Sequence, residues 1–238
     1  MTRSKWILNQ HRETREKETM DILARLDQTR SACNVLEHPF YERWSAGELS
    51  AGELECYAGE YRRAVVALAE ASEAAAAKAP PAHARGLSAH AVEEAAHVEL
   101  WDDFARAVGA RVPTDATDAN GALKETQVCV RAWTAGESLL EHLAVLYAIE
   151  AGQPEVSQTK LEGLVEHYGY SAEGPAVEYF RVHERLDREH ARKARELIAE
   201  LMSEVDDGGE LAERMVSRAR AALRGNWELL SGVEAAAR

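Results

Sequence analysis

The sequence has few of the residues that interrupt helices, and few cysteines that could cross-link the chain. Proline occurs 6 times and glycine 15 times in 238 residues, so long helices meet few breaks. The three cysteines are odd in number and widely spaced (Cys33, Cys56 and Cys129), which argues against a disulfide framework and a thiolate zinc site. A chain of this length buries about 70% of its unfolded surface, so it needs neither device to fold.

Long hydrophobic runs and an excess of positive charge are also missing. No apolar run approaches the ~18 residues of a membrane span, and the stretch MTRSKWILNQHRETREKE lacks the apolar core of a signal peptide. The net charge of −13 argues against nucleic acid as a partner, because phosphate binding requires clustered Lys and Arg. We therefore expect a cytoplasmic protein that binds neither membranes nor nucleic acid.

The abundant residue types of the chain favour helices. The chain is rich in Ala, Glu, Leu and Arg and poor in Phe, Ile and Thr. Ser50 and Glu53 have the spacing of a capping box at the start of a helix that Pro80 and Pro81 end. Without strand-like alternation or hairpin signals, the pattern predicts one all-α domain over residues 1–238. The expected helices are 13–36 (ended by Pro39), 50–79, 84–109, 122–133, 136–151, 154–168, 175–204 and 209–230, with a polar loop at 111–121.

One of these helices carries a pattern typical of metal binding. The text FRVHERLDREHARK places His183, Asp187 and His190 at offsets of 0, 4 and 7, so the three side chains share one helical face. Imidazole and carboxylate together suit iron or manganese rather than a thiolate-bound metal. The alternative is a solvated polar face.

A second helix carries a weaker pattern of the same kind. In HAVEEAAHVELW, Glu94 and His97 stand one turn apart, and Glu93 would serve nearly as well as Glu94. Carboxylate-x-x-His pairs on two helices are how helical bundles build dimetal sites. A single pair is more often an ordinary charged helix face, but Asp187 and His190 supply the second pair.

A third candidate is a lone carboxylate at the end of an apolar stretch. Glu150 closes LAVLYAIE, and a buried carboxylate is costly unless it is paired or binds metal. An exposed position at the helix end is an equally good interpretation. Together the candidates make three histidines and three carboxylates, which leave a net positive charge against two divalent cations and suit Fe(II) and O2.

Three stretches of the sequence resemble proteins of known families. The stretch HPFYERWSAGELSAGELECYAGEY (38–61) is similar to the entry helices of TenA/PqqC-like proteins, which have the heme-oxygenase-like fold. The stretches LYAIEAGQPEVSQTKLEGLVEHYGY (146–170) and YFRVHERLDREHA (179–191) resemble the chlamydial death-domain-associating (CADD-like) members of the heme-oxygenase-like diiron oxidases. The resemblance covers about residues 35–200 and implies a bundle of seven to eight helices.

The resemblance also implies a metal centre and its partners. The family's ligands correspond to Glu94, His97, Glu150, His183, Asp187 and His190, although the shorter spacing before His97 keeps Glu93 open as well. It implies two Fe per chain, with Mn/Fe as the alternative, and O2 as co-substrate. It also favours a homodimer. We expect an external electron donor for repeated turnover, because the chain has no flavin motif and its three scattered cysteines do not suggest an iron–sulfur cluster.

An activity follows from the same resemblance. CADD-like proteins make p-aminobenzoate (4-aminobenzoate) for folate from one of their own tyrosines, with a lysine supplying nitrogen, in a self-consuming O2-dependent reaction. The matching residues are Tyr41 and Lys160, with Tyr57 and Tyr61 expected near the core. The alternative for each is packing or surface exposure. Other members oxidise free amino acids or fatty acids, which the ligand set equally allows.

Two further hypotheses stand beside the diiron enzyme. A metal-free, TenA-like thiaminase or a PQQ-synthase-like oxidase is compatible with the fold, and the thiaminase would use Cys129 as its nucleophile. A non-catalytic interaction protein is the other, since the chlamydial relative is named for binding death domains, but no motif for such binding is visible.

Overall fold

The computed structural model describes residues 22–112, 121–206 and 208–237 of the chain. Within those ranges every regular element is helical and none is a strand, which confirms the all-α prediction. The predicted helical residues 13–21 and the loop residues 113–120 lie outside the described parts. The single domain and the homodimer stay predictions.

The helices follow one another with short connections. A helical stretch at 22–31 and a short 3-10 turn at Val35–Glu37 precede eight helices. Their bounds are α1 Pro39–Ser45, α2 Ala51–Ala77, α3 Pro81–Ala107, α4 Lys124–Thr134, α5 Leu139–Glu150, α6 Gln153–Glu166, α7 Glu178–Ser203 and α8 Gly209–Ala236.

Local signals set several of these boundaries. Ser50 and Glu53 form the predicted capping box, in which each side chain bonds the other's backbone N–H. Pro81 is the first residue of α3. The prediction for Pro39 was wrong, because the preceding helix has already ended at residue 31 and Pro39 opens α1. Proline suits that first position, where its missing N–H costs no hydrogen bond.

Helix α5 lies at the centre of the bundle. All of its residues from Leu139 to Glu150 are buried, and it contacts α2, α7 and α8. A helix that is buried on every side has no face for water, so its terminal carboxylate is carried into the interior. Glu150 is accordingly 0% exposed, which decides against the exposed alternative.

Two tryptophans fix the elements around the site through backbone hydrogen bonds. The indole N–H of Trp101 in α3 donates to the carbonyl oxygen of Ala58 in α2 at 2.9 Å. That of Trp44 in α1 donates to the carbonyl oxygen of Lys160 in α6 at 3.2 Å. Gly163 allows this approach, because a Cβ there would lie 2.5 Å from the Trp44 ring. These contacts hold α6 so that Lys160 enters the core.

None of the helices in the described ranges is both long enough and apolar enough to cross a membrane.

Candidate metal centre

Helices α3 and α7 run antiparallel and contact each other through a series of polar and aromatic side chains. At the outer end of this contact, His83 Nε2 lies 3.1 Å from Glu200 Oε1. The ring centres of His90 and His190 are 4.3 Å apart. Deeper in the bundle, the rings of His97 and His183 are 4.5 Å apart, and those of Trp101 and Tyr179 are 4.8 Å apart. The two helices therefore present their histidines to each other in pairs.

These side chains form two adjoining groups with metal-binding geometry. In each group, ligand atoms from all members lie within 4.8 Å of one another. Glu94 belongs to both, with Oε1 3.4–3.6 Å from nitrogens of three of the histidines and Oε2 3.9 Å from His183 Nε2. The outer group comprises His90, Glu94, Glu150 and His190, and the inner group comprises Glu94, His97 and His183.

Asp187 completes the cluster. Its carboxylate is 1% exposed and lies 3.5 Å from His190 Nδ1. All six residues singled out from the sequence are thus brought together: Glu94, His97, Glu150, His183, Asp187 and His190.

The buried polar atoms of this cluster lack the partners that a folded protein normally supplies. A buried donor or acceptor without a hydrogen bond costs about 1–3 kcal/mol, so an accumulation of them points to a missing ligand. Contacts within the cluster are ionic contacts of 3.1–3.9 Å rather than hydrogen bonds. The unpartnered atoms are His90 Nε2, Glu94 Oε1, His97 Nδ1, both Glu150 oxygens, His183 Nε2, both Asp187 oxygens and His190 Nδ1. The donor set fits divalent iron or manganese.

Outer hydrogen bonds orient two of the histidines. His183 Nδ1–H donates to the carbonyl oxygen of Tyr179 at 2.8 Å, which leaves Nε2 facing Glu94. His190 Nε2–H donates to the Glu93 carboxylate at 3.1 Å, which leaves Nδ1 facing inwards. Such bonds fix the tautomer of a metal-binding imidazole.

The same geometry separates the two candidate glutamates of α3. The Glu93 side chain is 41% exposed and holds the outer nitrogen of His190, whereas Glu94 is 2% exposed and faces the cluster. Of the two glutamates, it is therefore Glu94 whose carboxylate faces the cluster, whereas Glu93 contacts the outer nitrogen of His190.

Opposite charges within the cluster favour a protonated His90 imidazole beside an ionised Glu94 carboxylate. Burial opposes a charge on His90, but the carboxylates of Glu150 and Glu94 outweigh it and raise the pKa of the imidazole to about 10. Burial likewise works against ionised Glu94, yet the histidines around it, His183 first, hold its pKa well below the usual range.

Three further side chains of the cluster, Glu150, His183 and His190, also have raised pKa values. Burial raises the pKa of Glu150, and the His90 imidazole only partly offsets this. The pKa values of His183 and His190 are raised although burial opposes it, mainly because of Glu94 and Asp187 respectively. A divalent cation would replace these protons, so metal binding at the cluster releases protons and weakens in acid.

A second buried cluster contains the predicted lysine and tyrosines. Lys160 is 1% exposed, with Nζ 4.7 Å from the ring centre of Tyr61, 5.3 Å from that of Tyr57 and 5.6 Å from that of Tyr41. No ion pair to Lys160 is formed among the described residues, and burial alone lowers its pKa to about 7. This is the lysine cluster: Tyr41, Tyr57, Tyr61, Trp101, Lys160 and Phe180.

The lysine cluster is dry and incompletely bonded. Burial raises the pKa values of Tyr41 and Tyr57 well above the usual range, which keeps both phenols neutral. The Tyr57 hydroxyl has no hydrogen-bond partner. A neutral amine beside neutral phenols is chemically competent as a nucleophile.

The Tyr179 side chain lies between Trp101 of the lysine cluster and His183 of the inner group. Tyr179 stacks on His183 with ring centres 3.9 Å apart, and Trp101 lies 5.0 Å from Tyr61. With Trp101 and Tyr179 themselves 4.8 Å apart, the two clusters are neighbours. They share one continuous interior.

The outer group borders a cavity instead. This cavity, of about 440 Å³, lies between α3, α5 and α7 and reaches His90, Glu150 and His190. Its walls include Leu143 and Leu146, with Lys193 and Glu196 also among the lining residues. Small molecules can approach the centre from this side.

His90 was missed by the sequence reasoning, although a signal for it exists. His90, Glu94 and His97 have offsets of 0, 4 and 7, which are the offsets of His183, Asp187 and His190. Comparing the two helices with each other would have found it.

Cys129 does not suit a thiaminase-like nucleophile. It is 0% exposed, and burial raises the pKa of its thiol. Helix α8 approaches it so closely that a Cβ at Gly225 would lie 2.9 Å from the Cys129 Cα. A reactive cysteine instead needs access and a lowered pKa.

Solved structures with the same fold confirm the heme-oxygenase-like class. A TenA homologue from Pseudomonas syringae pv. tomato superposes with a TM-score of 0.76 at 16% identity, covering 91% of this chain and 92% of its own. A TenA homologue from P. horikoshii gives a TM-score of 0.66 at 16% identity, covering 90% and 97%. At such identities the likeness concerns the fold alone.

Relatives found by sequence similarity define the family more narrowly than the fold does. A 4-aminobenzoate synthase of Chlamydia muridarum is 32% identical over 201 residues, which are 82% of this chain and 84% of the relative. A protein of the same name from Nitrosomonas europaea is 28% identical over 217 residues, 84% of this chain and 85% of the relative. Residues 59–227 match the family described as iron-containing redox enzyme. With a buried His/carboxylate centre within that span, the chain belongs to the iron-containing redox enzymes of heme-oxygenase-like fold and is an oxidoreductase.

Proposed function

We propose that this protein is an O2-dependent diiron oxygenase of the 4-aminobenzoate synthase type. The observation that carries the proposal is the convergence of unpartnered imidazole and carboxylate atoms on two adjoining groups that share Glu94. The proposed ligands are Glu94, His97, Glu150, His183, Asp187 and His190. Three carboxylates against two divalent cations leave one positive charge, which suits reduced oxygen species and anions.

Iron bound in this centre would supply the reduction of O2 and the oxidising power for the reaction. The chain's own residues hold and shield it. Glu93 and the Tyr179 carbonyl keep two imidazoles in the binding tautomer. The buried helix α5 holds the Glu150 carboxylate inside the bundle, next to His90.

The lysine cluster is the proposed place of product formation. Tyr41 would provide the aromatic ring and Lys160 the nitrogen, with O2 as the oxidant. Lys160, with a pKa of about 7, is partly the free amine at neutral pH, and the surrounding rings keep it next to Tyr41. Tyr57 lines the same space with its free hydroxyl.

The cavity beside the outer group is the proposed access route for O2 and for an external electron donor of small size. It reaches His90, Glu150 and His190, whereas the lysine cluster is closed to solvent. We place the protein in the cytoplasm and propose that it works as a homodimer.

The test is a single turnover with intact-mass analysis. The purified chain is loaded anaerobically with two equivalents of Fe(II), exposed to O2 with a reductant, and examined for 4-aminobenzoate and for a change in chain mass. We expect product together with a lower chain mass, and neither in Tyr41→Phe or Lys160→Met. Tyr168→Phe is the matched control, because Tyr168 lies outside the lysine cluster.

Two results would contradict the proposal in different ways. A chain that binds no Fe(II) would remove the metal centre. A chain that binds two Fe and consumes O2 without any mass change would exclude self-consumption and leave a free substrate, such as an amino acid or fatty acid, entering through the cavity.

A further inference from the structure

Helices α3 and α7 carry the same metal-binding pattern in opposite directions. His-x-x-x-Glu-x-x-His on α3 faces His-x-x-x-Asp-x-x-His on α7, so His90 meets His190 and His97 meets His183. The relation is that of a local two-fold axis passing between Glu94 and Asp187. The ligands proposed above include three of the four histidines in this arrangement and leave His90 without a role.

The His90 side chain is aimed at the outer group. Its Nε2 lies 3.1 Å from Glu150 Oε1 and 3.6 Å from Glu94 Oε1. The atom is buried and forms no hydrogen bond, in spite of these short distances. An imidazole held among carboxylate oxygens without hydrogen-bond geometry is placed as a ligand would be.

We propose that His90 is a fourth histidine ligand, so that each ion receives one imidazole from α3 and one from α7. His90 and His190 would serve the outer ion, and His97 and His183 the inner ion, with Glu94 common to both. This inference rests on the metal centre of the proposed function and adds a residue to it.

Equal imidazole content has a consequence for the choice of metal. Imidazole nitrogen favours iron relative to manganese, while carboxylate oxygen suits manganese. With His90 as a ligand, the outer position has two imidazoles beside its carboxylates, as many imidazoles as the inner position has. The His90 assignment therefore predicts iron in both positions when Fe(II) and Mn(II) compete, rather than a mixed pair.

A different role for His90 must be distinguished from this one. His90 could act only as a hydrogen-bond donor that supports Glu150, since their atoms are 3.1 Å apart. Glutamine at this position retains an N–H donor but is a poor ligand for iron. His90→Ala removes both functions, and His90→Gln removes ligation alone.

The experiment is an anaerobic titration of the full chain with Fe(II), followed by desalting and metal analysis. We expect two Fe per wild-type chain, and about one per chain in both variants, with the second ion bound about 100-fold or more weakly, because loss of an outer supporting group alone costs 10–100-fold. His83→Gln is the matched control, because His83 lies on the same helix but pairs with Glu200.

A second measurement addresses the choice of metal. Wild type and His90→Glu are loaded with equal concentrations of Fe(II) and Mn(II). Wild type should retain iron in both positions, and His90→Glu should take up manganese in about half of them. Co(II) absorption spectra of the same proteins report a change in coordination geometry independently of catalysis, and circular dichroism reveals any misfolded variant.

Each outcome is decisive. Two tightly bound Fe in His90→Ala and His90→Gln would overturn the His90 assignment while the diiron proposal stands, and restored binding in His90→Gln alone would make His90 a supporting donor. A wild-type chain that binds no metal would overturn the diiron proposal and this inference with it.

Discussion

The outer and inner groups are built from the same helix pair but face different surroundings. The His90 side chain in the outer group is 15% exposed, and the cavity reaches it. In the inner group His183 is 1% exposed and stacks on Tyr179, with the lysine cluster beyond. One half of the centre thus faces solvent and the other faces the dry aromatic interior.

This difference separates two tasks. In the proposed reaction, the half beside the cavity would exchange metal, O2 and electrons, and the closed half would keep the oxidising reaction away from water. Glu94 lies at the boundary and belongs to both groups.

Removing the shared carboxylate should abolish the distinction between the halves. In Glu94→Gln both groups lose their common ligand, so we expect metal content to fall from two Fe per chain to nearly none. Iron analysis after anaerobic loading measures this. Glu99→Gln, at an exposed position on the same helix, is the control. A Glu94→Gln chain that retains one ion tightly would show that the groups are independent.

Because the Lys160 amine is buried in a dry interior, the free energy of unfolding should depend on pH. Its folded pKa of about 7 lies below its usual 10.5. Below pH 7 the amine is protonated in both states, so the folded state carries the full free-energy penalty of a buried charge. Between pH 7 and 10.5 only the unfolded chain holds the proton, and this penalty falls to zero as the pH rises. Relative to Lys160→Met, wild type should therefore gain up to about 5 kcal/mol over that range.

Denaturant unfolding of both proteins from pH 6 to 10 checks this. Lys193→Met is the control, because the Lys193 side chain is 63% exposed and should give a flat difference. A flat difference for Lys160→Met would mean that water or a buried anion reaches the amine.

Removing the support of His190 should weaken only the outer half. Glu93→Ala frees His190 Nε2, and loss of such an outer hydrogen bond costs about 10–100-fold in metal affinity. We expect the inner ion to bind as in wild type. Competition with a chromophoric chelator resolves the two affinities, with Glu99→Ala as the control. Equal weakening of both ions would contradict the separation of the halves.

Narrowing the cavity should give the smallest effect, in rate rather than affinity. A Cβ at Gly86, which lines the cavity, meets nothing within 4 Å. Gly86→Leu should therefore fill space without a clash and slow Fe(II) uptake severalfold. Gly59→Leu is matched, because a Cβ there also meets nothing but lies on α2. Unchanged uptake in stopped-flow loading would exclude the cavity as the route.

Much of the fold was predictable from local signals. The capping box at Ser50 and the prolines at 80 and 81 define helix ends through backbone chemistry within a few residues. Pro39 was misread because proline is compatible both with ending one helix and with opening the next. Such a choice depends on the chain before it, here a helix that ends at residue 31.

The candidate site was predictable to the extent that it lies within single helices. The offsets of His183, Asp187 and His190 place them on one face wherever the helix packs, because 3.6 residues make a turn. The same geometry applies to His90, Glu94 and His97, although only the last two were recognised. The choice between Glu93 and Glu94 could not be made, since adjacent residues differ in direction by about 100° and either face could be the buried one.

By itself, the sequence determined an all-helical chain and the residue types of a carboxylate and histidine centre, because composition and helical periodicity are local properties. Only the tertiary structure decided that α3 and α7 run antiparallel, that Glu94 is shared, and that Glu150 and Lys160 are enclosed. These relations join residues tens of positions apart. They arise from which faces pack together, and the free energy of that packing depends on the whole bundle.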